Sequence, residues 1–318
     1  MQVTRRMFLG AAAVTALHKA KAYAGYSLVP DPAGKTVLDP SGKVAFTYLT
    51  SKPEGVPLAG NSVCCFHPLN TPSGERVTDI APPDHRDHRG VFMAWQNLEF
   101  HRSSGIVRGD FWGWGHFAPK EGRVIENRGI QLVSADASSA EIAIANEWKV
   151  DGVTMLNERC NARTSERKGA RVLDLVYRFE STDGDVIVGQ GAFTGLCVRC
   201  RKDGEATYSN KDGPVDLPDS NALKPETDWP VSDWYSRSIV LQSGKTITAA
   251  VVDHPLNPES TWHEPRVVAF LNPCISALRP VTMPAGSPFM LRYRVIAMDG
   301  NVNTSAIDAL AAEWRSTK

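Results

Sequence analysis

Alternating or β-branched runs recur about every ten to fifteen residues between Val44 and Met298, and only one later segment has helical periodicity. That spacing constrains the fold more than any other feature of the chain. The expected strands are Val44–Leu49, Val91–Gln96, Ile130–Ser134, Glu141–Trp148, Val153–Arg163, Arg171–Glu180, Asp185–Gly189, Ser238–Gln242, Thr246–Val252, Val267–Leu271 and Phe289–Met298. Turn formers separate them, at Pro40-Ser41-Gly42, Asp151-Gly152, Asp183-Gly184, Ser243-Gly244 and Pro284-Ala285-Gly286. Many strands on short turns make a sandwich or a barrel, and strands this long point to a mainly β, large antiparallel two-sheet sandwich. A C-terminal helix should pack on it through Ile307, Leu310, Ala311 and Trp314, with Ser305 and Asp308 in a capping-box relation. The turn-rich stretch from Lys202 to Trp234 reads as a surface excursion, long enough to serve a function.

The N-terminus reads as a twin-arginine export signal over residues 1–24. Thr4-Arg5-Arg6-Met7-Phe8-Leu9 precedes the apolar stretch Gly10 to Leu17, and Ala22-Tyr23-Ala24 suits a signal peptidase. An apolar run of about ten residues is too short for a membrane span, which needs roughly twenty. The expected course is export through the Tat translocon to the periplasm or beyond, leaving a single sandwich domain from residue 25 to 318 with no membrane partner.

Lys plus Arg and Asp plus Glu are both 35, giving zero net charge, so no basic face calls for nucleic acid or anionic lipid. Six cysteines in an exported chain raise the question of disulfides. Cys64 and Cys65 are neighbours, and Cys197 and Cys200 lie three apart, so in strands each pair points to opposite faces and cannot bridge. Buried free thiols are expected.

The densest polar cluster is Pro82-Pro83-Asp84-His85-Arg86-Asp87-His88-Arg89-Gly90, with His67 upstream. Imidazoles beside carboxylates suit proton transfer near neutral pH, and two prolines and a glycine fix the loop. Metal ligation by His85 and His88 is the weaker alternative, because His-x-x-His alone is a poor signature, and no cofactor is expected beyond that possible divalent metal. In Asp110-Phe111-Trp112-Gly113-Trp114-Gly115-His116, one tryptophan should line a cleft and stack on a sugar while the other is buried. Along Val153–Arg163, Asn157, Arg159, Asn161 and Arg163 share one face, and Leu156, Glu158, Cys160 and Ala162 share the other. Glu158 on that apolar face is either ion-paired with a buried cation or held with a raised pKa, as an acid catalyst needs. Asp253-His254 leaves a strand, and His263 and Arg266 follow. If strand ends converge, these could join the histidine loop in one site.

The same segments resemble an exported bacterial family labelled PmoA-like, otherwise described as a domain of unknown function. The resemblance runs through Phe66-His67-Pro68-Leu69 with Thr71-Pro72-Ser73-Gly74, the loop ending His88-Arg89-Gly90, Asp110-Phe111-Trp112 and Asn210-Lys211-Asp212-Gly213. It continues in Asp253-His254-Pro255-x-Asn257-Pro258, Asn272-Pro273 and Leu291-Arg292-Tyr293-Arg294-Val295. Arg86 and Asp87 stand where that family commonly has Pro and His, and Cys274 stands where it has an aromatic residue. Methane oxidation, which the label suggests, would require several apolar spans that this chain lacks after its signal. The resemblance instead implies a galactose-mutarotase-like supersandwich and a carbohydrate partner.

These readings combine into a carbohydrate-active hydrolase, lyase or isomerase. Its acid–base groups would be His67, His85, His88, Glu158, Asp253 and His254. Asp84, Arg89, Trp112, Trp114, His263 and Arg266 would bind substrate. A non-catalytic carbohydrate-binding protein is the alternative.

Overall fold

A computed structural model describes residues 24–217, 231–262 and 267–318. Among these, the chain forms two large antiparallel sheets. One has seven strands in the order β1 (Ser27–Asp31), β2 (Gly34–Leu38), β3 (Val44–Leu49), β4 (Cys65–Leu69), β5 (Val91–Trp95), β13 (Thr194–Arg199) and β19 (Phe270–Leu271). The other has nine: β15 (Gly213–Val215), β14 (Gly204–Asn210), β16 (Trp234–Leu241), β17 (Thr246–Asp253), β22 (Phe289–Asp299), β11 (Ala170–Ser181), β10 (Val153–Arg167), β9 (Ser139–Val150) and β8 (Arg123–Ala135). A four-stranded sheet, β21 (Val281–Met283), β12 (Asp185–Val188), β6 (Leu98–Arg102) and β7 (Gly105–Gly109), and a two-stranded one, β18 (Thr261–Trp262) with β20 (Pro273–Cys274), complete the β structure. The mainly β sandwich with a C-terminal helix is therefore present.

Period-two alternation explains the layers. On β10 the buried positions are Leu156, Glu158, Cys160 and Ala162, while Asn157, Arg159, Asn161 and Arg163 alternate with them. Side chains from both sheets form the main core, where Trp95 of the seven-stranded sheet meets Trp148 and Phe179 of the nine-stranded one at centroid distances of 5.1 and 5.2 Å. Aromatic pairs at such distances add cohesion beyond the area they bury. A second cluster covers the outer face of the seven-stranded sheet: Leu49, Cys65, Phe92, Trp112, Phe193, Cys197 and Phe270. A third lies between the nine-stranded sheet and the helix α1 (Thr304–Arg315), which buries Ile307, Leu310, Ala311 and Trp314.

The cap of that helix differs from the expectation. Asn303 is the N-cap and its side chain accepts from the Ala306 N–H, while Asp308 accepts from the Trp234 indole at 2.7 Å and so ties helix to sheet. The stretch after Lys202 also differs. It opens as the hairpin β14–β15 on the edge of the nine-stranded sheet, and the remainder of the expected excursion, 218–230, lies outside the described residues. None of the six cysteines is in a disulfide and all are buried, with Cys64 and Cys200 in the core between the sheets and Cys65 and Cys197 on the opposite, outer face.

Candidate functional site

Strands β4, β5 and β13 build the floor of the candidate site. Cys65, Phe92 and Cys197 sit at one level of the outer face, and His67, Gly90 and Arg199 occupy the next. Gly90 has φ 53° and hydrogen-bonds through its carbonyl to the Arg199 N–H at 2.8 Å; a Cβ there would meet Phe66 O at 2.3 Å. Only glycine fits a left-handed turn pressed this closely against a neighbouring strand.

Hydrogen bonds hold the two buried rings, His67 and His88. Thr78 Oγ1 accepts from the Leu69 N–H at 3.1 Å and shares a hydrogen bond with His67 Nδ1 at 3.0 Å. Burial, aided by the Arg76 charge, lowers the His67 pKa to about 3. His67 also lines a cavity of ≈ 240 Å³ with Asp31, Thr47, Val56 and Ile80. His88 is enclosed by Phe92, Trp112 and Phe270 and accepts at Nδ1 from Arg199 Nη1 at 3.3 Å. A guanidinium can only donate, so His88 stays neutral with its proton on Nε2, toward Asp87 Oδ2 at 3.8 Å. Burial, then the Arg199 charge, hold its pKa well below the usual range. It cannot serve as an acid without breaking from Arg199.

His85 is different. Its ring stacks on His88 with centroids 4.7 Å apart and planes 19° from parallel, and its Nδ1 lies 3.5 Å from Asp84 Oδ2. The side chain keeps 19% of its surface exposed although Nδ1 is enclosed, so the opposite edge of the ring faces out. Asp84 receives Arg199 Nη2 at 2.7 and 2.9 Å and Lys202 Nζ at 3.1 Å. Burial alone would raise this carboxyl; Arg199 and then Lys202 bring it below its ordinary value, and it stays charged.

Several expected site residues have other roles. Arg89 is fully buried and donates to the carbonyls of Asp87, Trp112 and Phe111, with its guanidinium 4.4 Å from the Phe92 ring centroid, so it holds loops together and cannot reach a substrate. Trp112 is buried in the outer-face cluster. Trp114 is 42% exposed, edge-on to Phe193 at 5.2 Å. Asp110 rigidifies their turn by accepting from the N–H groups of Trp112, Gly113 and Gly115, and Gly113 packs on the histidine loop: a Cβ there would lie 3.6 Å from Asp87 Cβ.

Glu158 lies in the core between the sheets, on the far side of the seven-stranded sheet from His85. Among the described residues no cation pairs with it. Asn146 Nδ2 donates to Oε1 at 2.9 Å and Trp148 Nε1 to Oε2 at 2.7 Å, and burial pushes its pKa up to about 7 against those bonds. Asp253 is held by Ser260, Asn257 and the His254 N–H, and burial raises it to about 6. His254 packs on Trp314 of α1 and contacts Thr317 O at 3.2 Å, beyond the nine-stranded sheet. Burial, then the Arg292 charge, lower its pKa. The structure therefore brings together His85, His88 and Asp84, places His67 beside Gly90 on the same face but facing its own cavity, and leaves Glu158, Asp253 and His254 in two other layers. His263 and Arg266 lie outside the described residues. Arg199 and Lys202, which bind Asp84, were not among the expected residues. Their signal was a charged residue in the otherwise apolar run Leu196-Cys197-Val198-Arg199-Cys200. Among the described residues no group of three or more His, Cys, Asp or Glu could hold a metal ion.

Residues 35–312 match the model of a family of unknown function, DUF6807. This replaces the expected PmoA-like membership, which nothing in the comparisons shows. No curated protein matches the chain. Among solved structures, a galactose mutarotase related enzyme from Lactobacillus acidophilus is similar at a TM-score of 0.39 and 7% identity, over 87% of this chain and 97% of that one. The GH36 α-galactosidases AgaA and AgaB from Geobacillus stearothermophilus are similar at TM-scores of 0.40 and 0.41, each at 11% identity, over 88% and 87% of this chain. The chain spans about two fifths of their length, 41% and 42%.

Proposed function

The chain belongs to the DUF6807 family, and for this member we propose an exported carbohydrate-active enzyme, a hydrolase, lyase or isomerase, working on the outer face of the seven-stranded sheet. The proton-transfer group is His85. The observation that carries this reading is the division of labour around Arg199. It keeps His88 neutral as an acceptor and Asp84 charged, so His85 is the ring of the loop that has a carboxylate beside one nitrogen and an exposed edge at the other. Stacking on His88 fixes its plane, as an acid–base group needs before substrate arrives. Trp114 offers an exposed ring on a turn packed against the same loop, suited to the apolar face of a sugar. The twin-arginine sequence at residues 4–9 supports export.

The test is conversion of a panel of neutral and acidic glycosides by the purified protein, read by mass spectrometry. Turnover that is lost in His85→Gln, with unfolding temperature unchanged, supports the assignment. Full turnover in His85→Gln sinks it. Binding without turnover by the wild type would mean a carbohydrate-binding protein instead.

A further inference from the structure

Among the described residues, the histidine loop and its partners carry more positive than negative charge. Arg86, Arg89, Arg199 and Lys202 stand against two carboxylates, Asp84 and Asp87, on a chain whose net charge is zero. The flanking cations do not add to this surplus, because Arg76 pairs with Asp79 and Arg201 with Asp203. Asp84 serves two cations at once. Arg199 is wholly buried and fixed by His88 and Asp84, whereas the Lys202 side chain is 47% exposed and Arg86 is exposed. Asp84 Oδ2 lies 3.5 Å from His85 Nδ1 and 3.1 Å from Lys202 Nζ, so the ammonium and the His85 ring flank one carboxylate oxygen.

We propose that the substrate carries a carboxylate, as a uronic acid or other oxidised sugar does, and that Lys202 binds this carboxylate beside His85, with Arg86 adding to the attracting field. This rests on the carbohydrate reading of the site and narrows it. A flexible ammonium shared with Asp84 can turn to a second carboxylate without leaving Asp84 unpaired, because Arg199 remains. A neutral sugar gains nothing from the surplus charge, so the preference comes from electrostatics rather than shape.

The experiment measures binding of glucuronate and galacturonate against glucose and galactose by saturation-transfer NMR and calorimetry, at low and high NaCl. Uronates should bind at least about tenfold more tightly than the neutral sugars, and the difference should shrink with salt. Lys202→Met should abolish the preference while leaving the unfolding temperature within a few degrees, since the side chain is half exposed. Equal binding of both sugar classes, or an undiminished preference in Lys202→Met, overturns the carboxylate assignment and leaves the carbohydrate reading standing. Binding of neither class overturns both.

Discussion

Gly90 lies so close to His67 that a Cβ on the glycine would sit 2.8 Å from the histidine Cβ, and the Phe66 carbonyl is nearer still at 2.3 Å. The histidine loop thus enters the sheet through a gap that admits no side chain. Gly90→Ala should lose about 3 kcal/mol or more, from backbone collision plus a positive φ, measured by urea unfolding. Gly129, on β8, has nothing within 4 Å of its built Cβ and ordinary φ, so Gly129→Ala should change stability by no more than about 0.5 kcal/mol.

Glu158 gives stability a pH dependence. Its folded pKa of about 7 stands above the ordinary value of 4.5, so the folded state binds the proton more tightly than the unfolded chain does. Its contribution is complete below the unfolded pKa and is lost as pH rises through about 7, with a total of the order of 3 kcal/mol. Asp253, raised to about 6, acts in the same direction. The buried neutral His67, His88 and His254, whose pKa values are lowered, act in the opposite direction, so the test is a difference: between pH 5 and pH 8 the slope of stability against pH should be more positive in Glu158→Gln than in the wild type. An unchanged slope in this variant would mean that Glu158 stays charged in the core.

The helix cap separates two neighbouring residues. Asn303→Ala removes the acceptor for the Ala306 N–H and should cost about 1 kcal/mol, whereas Ser305→Ala, one position inside the helix, should be close to neutral in the same unfolding assay.

Thiol reactivity should be all or none. Burial pushes Cys64 up to about 12 and Cys200 to about 11, and raises Cys65, Cys160 and Cys197 as well. The native protein should react with an aromatic disulfide reagent at a negligible rate near pH 8, and in guanidinium all six thiols should titrate together.

Strands with one buried face were legible in the sequence. Apolar runs made the nearly fully buried β3, β5 and β17 legible as well, but β13 and β14 were not. β10 shows its alternation residue by residue, whereas β13 is buried at every position and reads as a cysteine motif instead of a strand. β14 is mostly exposed along its first half and joins the sheet as an edge strand, so no apolar face marked it. The histidine loop was readable from residue types alone. What His88 does was not, because Arg199 lies 111 residues away and the pairing depends on β5 and β13 being neighbours. The same limit applies to His254, whose partner Thr317 follows the helix.

β22 lies between β17 and β11 in the nine-stranded sheet. The strands from β8 to β11 can pair as soon as they emerge from the ribosome, and so can those from β14 to β17, but the two sets share no edge until residues 289–299 have been synthesised. From the completion of β17 at Asp253 until β22 is made, the nascent chain must therefore carry two unjoined half-sheets, each presenting an open strand edge to every neighbouring polypeptide. The last strand made is the keystone of the sheet, so premature termination anywhere before it should yield an aggregating fragment and not a smaller folded protein.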